Sequence, residues 1–475
     1  TWVVTYALPA FSLAAGETLW VEVWRNQTAG INTNTATRRQ LTHTVNDGIA
    51  QVVHPAADDV APAAPTQTIT EGSADSHQVG STFYYRPAGA GGTFTVTSAT
   101  SDTGGSGVQD VTFPGLAGGF TPITPTADTT SPYSQVYTWP ATTGTETGSK
   151  TVTATDNALN QSVGSFTITP DSAGPTGSVT APAASANVSG AGVAVSSDTA
   201  DVGSGVASAQ FQRSPAGAGT WTNIGAADTT SPYSVSWDTT LVTDGLYDLR
   251  VVGTDNVGNV TNSALATNVR VDNTNPTGSV TAPAASANVT GAAVSVTSDS
   301  ADTGSGVASA QFQRSPAGAG TWTAIGAADT TAPYSVTWDT TLVADGLYDL
   351  RVVTTDNVGL VTNSALVTNV RVDNTNPTGS VTAPAASANV TGAAVSVTSD
   401  SADTGSGVAS AQFQRSPAGA GTWTAIGAAD TTSPYAVSWD TTLVADGLYD
   451  LRVVTTDNVG NSFTSALVSN VRVDN

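Results

Sequence analysis

The chain contains no cysteine and no methionine, a single lysine (Lys150) and three histidines in 475 residues. Without cysteine there is neither a disulfide framework nor a thiolate metal site, so each domain must be held by core packing alone. His43, His54 and His77 stand at no metal-ligand spacing to one another, which argues against a histidine-built zinc or acid–base centre. Basic residues are scarce as well: Lys and Arg number 14 against 37 Asp and Glu, a net charge of -23. Phosphate recognition needs basic patches, so no nucleic-acid partner is expected. No apolar run approaches the roughly 20 residues that a membrane-spanning helix requires, and no signal-peptide or lipidation pattern occurs, so no membrane insertion is expected. Nucleophile elbows, phosphate-binding loops and zinc motifs are missing too, and glycine-rich stretches sit in hairpin turns rather than before helices. The expectation is a non-enzyme with no catalytic or cofactor-binding residues.

What the chain does have is repetition. From Pro175 a module of 101 residues is written almost three times, restarting at Pro276 and Pro377, and residues 276–374 and 377–475 differ at only eight positions, among them Leu360 against Asn461. Near-identical modules in series supply length or valency, whereas catalysis needs one site. The organisation expected is a partial β-domain over 1–60, a divergent domain over 61–174, and repeats over 175–275, 276–376 and 377–475.

Within the first repeat, β-branched and aromatic residues alternate in short runs separated by Gly, Pro, Asn and Asp, the composition of an all-β protein. Seven strands are expected. They lie around Thr176–Thr180, Val193 and Val195, Val206–Arg213, Trp221 and Ile224, Tyr233 to Trp237, Tyr247 to Val251, and Leu265 to Val271, with 182–187 as the exit from the first. Seven strands with turn signals at this spacing read as a Greek-key sandwich. Tyr233 and Trp237 are assigned to the core, while Trp221 follows a Gly-Pro loop and offers a half-exposed face for stacking on a sugar.

Four segments together resemble the bacterial immunoglobulin-like domains of large secreted and surface proteins: Ser-Gly-Val-Ala-Ser-Ala-Gln-Phe (204–211), Pro-Tyr-Ser-Val-Ser-Trp-Asp (232–238), Asp-Gly-Leu-Tyr-Asp-Leu (244–249) and Thr-Asp-Asn-Val-Gly-Asn (254–259). The resemblance implies tandem Greek-key sandwiches in an extended rod, and a spacer or adhesive role. It also places a tyrosine corner at Tyr247, Tyr348 and Tyr449. Residues 61–174 keep Asp102 to Val108, Ser131 to Tyr133 and Thr153 to Asn160 in the same order. They lack the Asp-Gly-Leu-Tyr turn, and Thr147 to Lys150 stands in its place.

The first 60 residues offer about four strands with apolar residues on both faces, too few to close a sandwich, and loosely resemble the end of a jelly-roll domain. The chain begins without Met in an alternating segment and is expected to come from a longer, secreted precursor. Either strands upstream complete the partial domain, or a neighbouring chain does so in a self-assembling filament. A third alternative is an accessory region of a larger secreted enzyme. Other proteins or surface glycans are the expected partners, outside the cell or at its surface.

One constellation invites chemistry. In a sandwich array the exit of one domain meets the loops of the next, so Asp244 and Asp272 are expected to approach Asp299, Asp302 and Asp356. Hard oxygen ligands in that number suit an interdomain Ca²⁺, since unpaired carboxylates so close would otherwise repel.

Overall fold

The computed structural model describes residues 58–475 apart from 104 and 143. The partial β-domain expected at the start, and the question of what completes it, lie outside the described residues but for positions 58–60. The chain packs as two compact units. One comprises the described residues through 176 with 200–207 and 253–261, and the other 177–199 with 208–252 and 262–475.

The first unit holds a sandwich of the divergent domain. One antiparallel sheet is ordered Thr66–Glu71, Gly92–Ala99, Tyr133–Trp139; the facing sheet runs Ser76–Val79, Thr82–Tyr85, Gln161–Pro170, Gly148–Asp156, Val108–Phe113, Thr126–Asp128. Period-2 alternation makes the core: along Gly92–Ala99 the side chains of Phe94 and Val96 turn inward while the threonines between them stay at the surface. Phe83 stacks on Phe94 at 3.9 Å between ring centroids, with Phe120, Tyr137, Trp139 and Phe166 around them. No tyrosine occupies the corner position. Instead the hydroxyl of Tyr85, from another strand, accepts from Glu146 N at 2.7 Å and donates to Glu146 O at 3.1 Å, anchoring the turn that the missing corner would have held.

In the second unit the middle repeat is representative. Its smaller sheet is ordered Val280–Ala282, Val294–Ser298, Ser335–Trp338. The larger is ordered Asn288–Val289, Val367–Val372, Gly346–Asp356, Val307–Pro316, Thr323–Ala324, with Val361–Asn363 beside Gly346–Asp356. Phe312, Leu350, Val352 and Val370 are fully buried between the sheets. Trp338 meets Tyr348 edge to face at 5.7 Å, a contact repeated by Trp237 with Tyr247 and by Trp439 with Tyr449. The tyrosine corners are present. Tyr247, Tyr348 and Tyr449 donate to the carbonyls of Thr243, Ala344 and Ala445 at 2.8, 2.9 and 2.8 Å, which fixes the approach to the long central strand.

Several details differ from the sequence reading: the opening strand is Val179–Ala181, and Val260–Asn262 forms an additional strand. The segment taken as an exit after the first strand contains Asn187–Val188, which pairs in parallel with Ala266–Val271. Leu265, expected in the last strand, lies before it and is exposed. A two-residue strand carries no alternation of its own, so only its partner reveals it.

Candidate metal centre

Asp272 follows the last strand of the first repeat directly. Its backbone N–H donates to Val188 O at 3.0 Å, continuing the ladder, and its side chain is buried. Its Oδ2 accepts from Ser305 N at 2.6 Å, in the turn after Val294–Ser298 of the next repeat. Asp302 lies in the same turn and accepts from Gly306 N at 2.6 Å, an Asp-to-backbone closure made possible by the left-handed φ of +86° at Gly306. Asp356 ends the long central strand, where its Oδ1 accepts from Val358 N at 2.9 Å and Leu360 N at 2.8 Å. These three carboxylates each bring one oxygen within 4.8 Å of the others.

Close approach has a steric requirement. A Cβ on Gly304 would overlap the carboxylate of Asp272, and Gly203 and Gly405 stand in the same relation to Asp171 and Asp373. The Asp-x-Gly-Ser-Gly turn thus supplies a carboxylate, a donor to the incoming Asp, and the space that Asp needs.

The arrangement recurs as Asp373, Asp403 and Asp457, as Asp171, Asp201 and Asp255, and as Asp58, Asp102 and Asp156, the last two sets both within the first unit. Burial raises the Asp201 carboxyl above its ordinary value, and the negative charges of Asp171 and Asp255 add to the rise. Three carboxylates this close are an arrangement a cation relieves, and oxygens no more than 4.8 Å apart fit around an ion bound at about 2.4 Å. The donor set fits calcium. In the second repeat it also contains an orphan, since Oδ2 of the buried Asp356 has no hydrogen-bond partner.

Of the five aspartates singled out from sequence, the structure therefore brings together Asp272, Asp302 and Asp356 and leaves out Asp244 and Asp299. Asp244 clamps the linker of its own module, accepting from Asn273 N at 2.9 Å and Thr274 Oγ1 at 2.7 Å. Burial pushes its carboxyl up, but these hydrogen bonds outweigh it and leave the group below its ordinary value. Asp299 accepts from Ser279 Oγ at 2.8 Å and Ser279 N at 2.5 Å, contacts that hold its carboxyl low. Both carboxylates are consumed locally. Sequence reasoning missed the clusters of Asp171, Asp201 and Asp255 and of Asp58, Asp102 and Asp156. The available signal was an Asp ahead of the linker proline, an Asp opening a Gly-Ser-Gly turn and an Asp-Asn pair ending the long strand, which Asp171, Asp201 and Asp255 share with the later repeats.

The sugar-stacking reading of Trp221 meets an obstacle: the guanidinium of Arg250 lies over its ring, 4.1 Å from the centroid, and Trp322 with Arg351 and Trp423 with Arg452 repeat this at 4.2 and 4.0 Å. One face of each indole is already taken.

Residues 175–251, 276–352 and 377–453 match the bacterial Ig domain family, and 231–304 match the bacterial Ig-like domain, group 3. No curated protein matches the chain. Among solved structures, similarity extends to the fibronectin(III)-like modules of Clostridium thermocellum CbhA, at 23% identity over 42% of this chain and 93% of that one, with a TM-score of 0.27. A tetra-tandem repeat from the extending region of a large adhesion protein is 18% identical over 86% and 100%, with a TM-score of 0.27. A Ca²⁺-stabilized adhesin with which an Antarctic bacterium binds ice is 21% identical over 87% and 100%, with a TM-score of 0.31. On the family matches and the repeated sandwiches that carry them, the repeats over 175–453 are tandem bacterial immunoglobulin-like domains.

Proposed function

We propose that this chain is a non-catalytic structural or adhesive stalk of a secreted or surface-attached bacterial protein, a series of sandwich domains whose joints bind Ca²⁺. The observation that carries the reading is the recurrence of one three-carboxylate cluster, each built from an Asp ahead of a domain, an Asp in one of that domain's turns and an Asp ending its long strand. A site repeated at successive boundaries serves the boundary. The family supports the structural role, because immunoglobulin-like domains in series extend a chain without adding chemistry. A bound cation would cross-link the residue after the last strand of one repeat to a turn and the end of the central strand of the next, replacing mutual repulsion with shared coordination. The linker is already short of freedom, since Asn273 accepts from Gly190 N at 3.0 Å and donates to Thr239 O at 3.0 Å.

The test uses the whole chain. Calorimetric titration with Ca²⁺ is expected to show binding that Asp302→Asn and Asp403→Asn each diminish. Addition of a chelator is expected to lower the melting temperature and shorten the particle's maximum dimension in small-angle scattering. If calcium neither binds nor changes either quantity, the calcium joint is wrong; a compact scattering profile in both states would remove the stalk.

A further inference from the structure

The joints are not chemically equal. In the third repeat Asn461 does two things at once: its Nδ2 donates to Asp457 Oδ2 at 2.8 Å and to the carbonyls of Asp373 and Thr375, at 3.1 and 3.4 Å, in the linker leaving the second repeat. Its Oδ1 also accepts from Thr290 Oγ1 of the second repeat at 3.5 Å. One side chain thus satisfies the buried carboxylate and ties two repeats together without any ion. Asn259 does the same within the first unit, donating to Asp255 Oδ2 at 2.7 Å and to Asp171 O at 3.1 Å, and Asn160 reaches Asp156 Oδ2 and Asp58 O, both at 2.9 Å.

In the second repeat this position is Leu360. The leucine side chain has no N–H to give, so the tether to the linker of the first repeat is missing and Asp356 Oδ2, on a residue 1% exposed, is left without a partner. The backbone contact from Ser305 N to Asp272 Oδ2 remains, as its counterpart from Ser406 N to Asp373 Oδ2 does in the next joint. What differs is the ion-free part of the fastening and the fate of one buried carboxylate oxygen, a group that is costly to leave unsatisfied.

We propose that the joint between the first and second repeats is the cation-gated joint of the array, ordered when a divalent cation occupies Asp272, Asp302 and Asp356 and loose without it, whereas the joint between the second and third repeats keeps its order through Asn461. This rests on the calcium reading above and assigns its regulatory weight to one site. A cation supplies the missing partner of Asp356 Oδ2 and the missing link between repeats in a single step. The other joints hold both already through asparagine. A stalk built this way bends first at a defined place when the cation is withdrawn.

The absence of cysteine makes the test direct. Ser236, Thr337 and Ser438 are equivalent, exposed positions in the three repeats, so the full chain carrying S236C and T337C, or T337C and S438C, takes spin labels across each joint in the same geometry. Electron–electron distance distributions are measured with calcium and with chelator. The expected result is a narrow distribution across both joints in calcium, and its loss on chelation across the first joint only. The open population there should be about tenfold higher than at the second joint, equivalent to ~1.4 kcal/mol. Leu360→Asn should restore a narrow distribution in chelator, and Asn461→Leu should transfer the loss to the second joint. Equal responses at both joints, or a first joint unmoved by Leu360→Asn, would overturn the inference while leaving calcium binding intact. Absence of calcium binding by calorimetry on the same samples would overturn both readings.

Discussion

Replacing Gly304 by alanine tests the geometry of the carboxylate cluster at its tightest point. The new Cβ falls closer than 3.0 Å to the carboxylate of Asp272, a separation real Cβ atoms do not show, so the carboxylate must move. That group is buried and held by Ser305 N at 2.6 Å and Thr274 N at 3.3 Å. Moving it breaks a hydrogen bond to a charged acceptor, a loss of about 1.5–3 kcal/mol, and withdraws one of three oxygens from the cation position. Gly304→Ala is therefore expected to destabilise the surroundings of that joint by about 2 kcal/mol and to remove one calcium site from the titration. Scanning calorimetry of the full chain, with and without calcium, reads the first effect, and isothermal titration reads the second. Gly405→Ala should behave alike, because its Cβ meets Asp373 in the same way. Gly192→Ala is the control, a position with no atom within 4 Å of the added carbon and no left-handed backbone, where alanine should be neutral or mildly stabilising. If Gly304→Ala melts like the unaltered chain and binds calcium with unchanged stoichiometry, the close approach of Asp272 to this turn is not what the cluster depends on.

Tyr348→Phe removes the hydrogen bond to Ala344 O while keeping the ring against Trp338, and should lower the stability of the middle repeat by about 1 kcal/mol in denaturant titration; an unchanged midpoint would show that the corner adds nothing. The Asp329 carboxyl is held below its ordinary value of 3.8 by hydrogen bonds from the backbone of Ser335 and then of Thr331, with a smaller opposing effect of burial. A group depressed in the folded state contributes stability that is complete above the unfolded value and lost as pH falls through the folded one, so carbon NMR of this carboxyl should titrate below 3.8, and a midpoint at or above that value would contradict the contact.

How much of this was legible beforehand follows from how locally each feature is encoded. Alternation of Tyr247, Leu249 and Val251, the Asp-Gly turn before them and the absence of any helical period were enough for sandwich strands, because strand facing depends only on spacing along the chain. The tyrosine corner came from the family resemblance, which carried over by position because the contact is local: Tyr348 bonds a carbonyl four residues away. The substitution of Tyr85 for the corner in the divergent domain was not, because its hydroxyl reaches Glu146 from a strand 61 positions distant. The aspartates divide in the same manner. Composition and repeat boundaries identified acidic loops near domain ends, but Asp244, Asp272, Asp299, Asp302 and Asp356 look alike as letters. Which of them face one another was decided by the turn glycines, by the parallel pairing of Asn187–Val188 that sets where Asp272 leaves its sheet, and by the local donors that occupy Asp244 and Asp299. The difference between Leu360 and Asn461 stood in plain sight among eight substitutions. Its meaning came only from the fold, which brings that one side chain against a carboxylate of its own repeat and the linker of the preceding one.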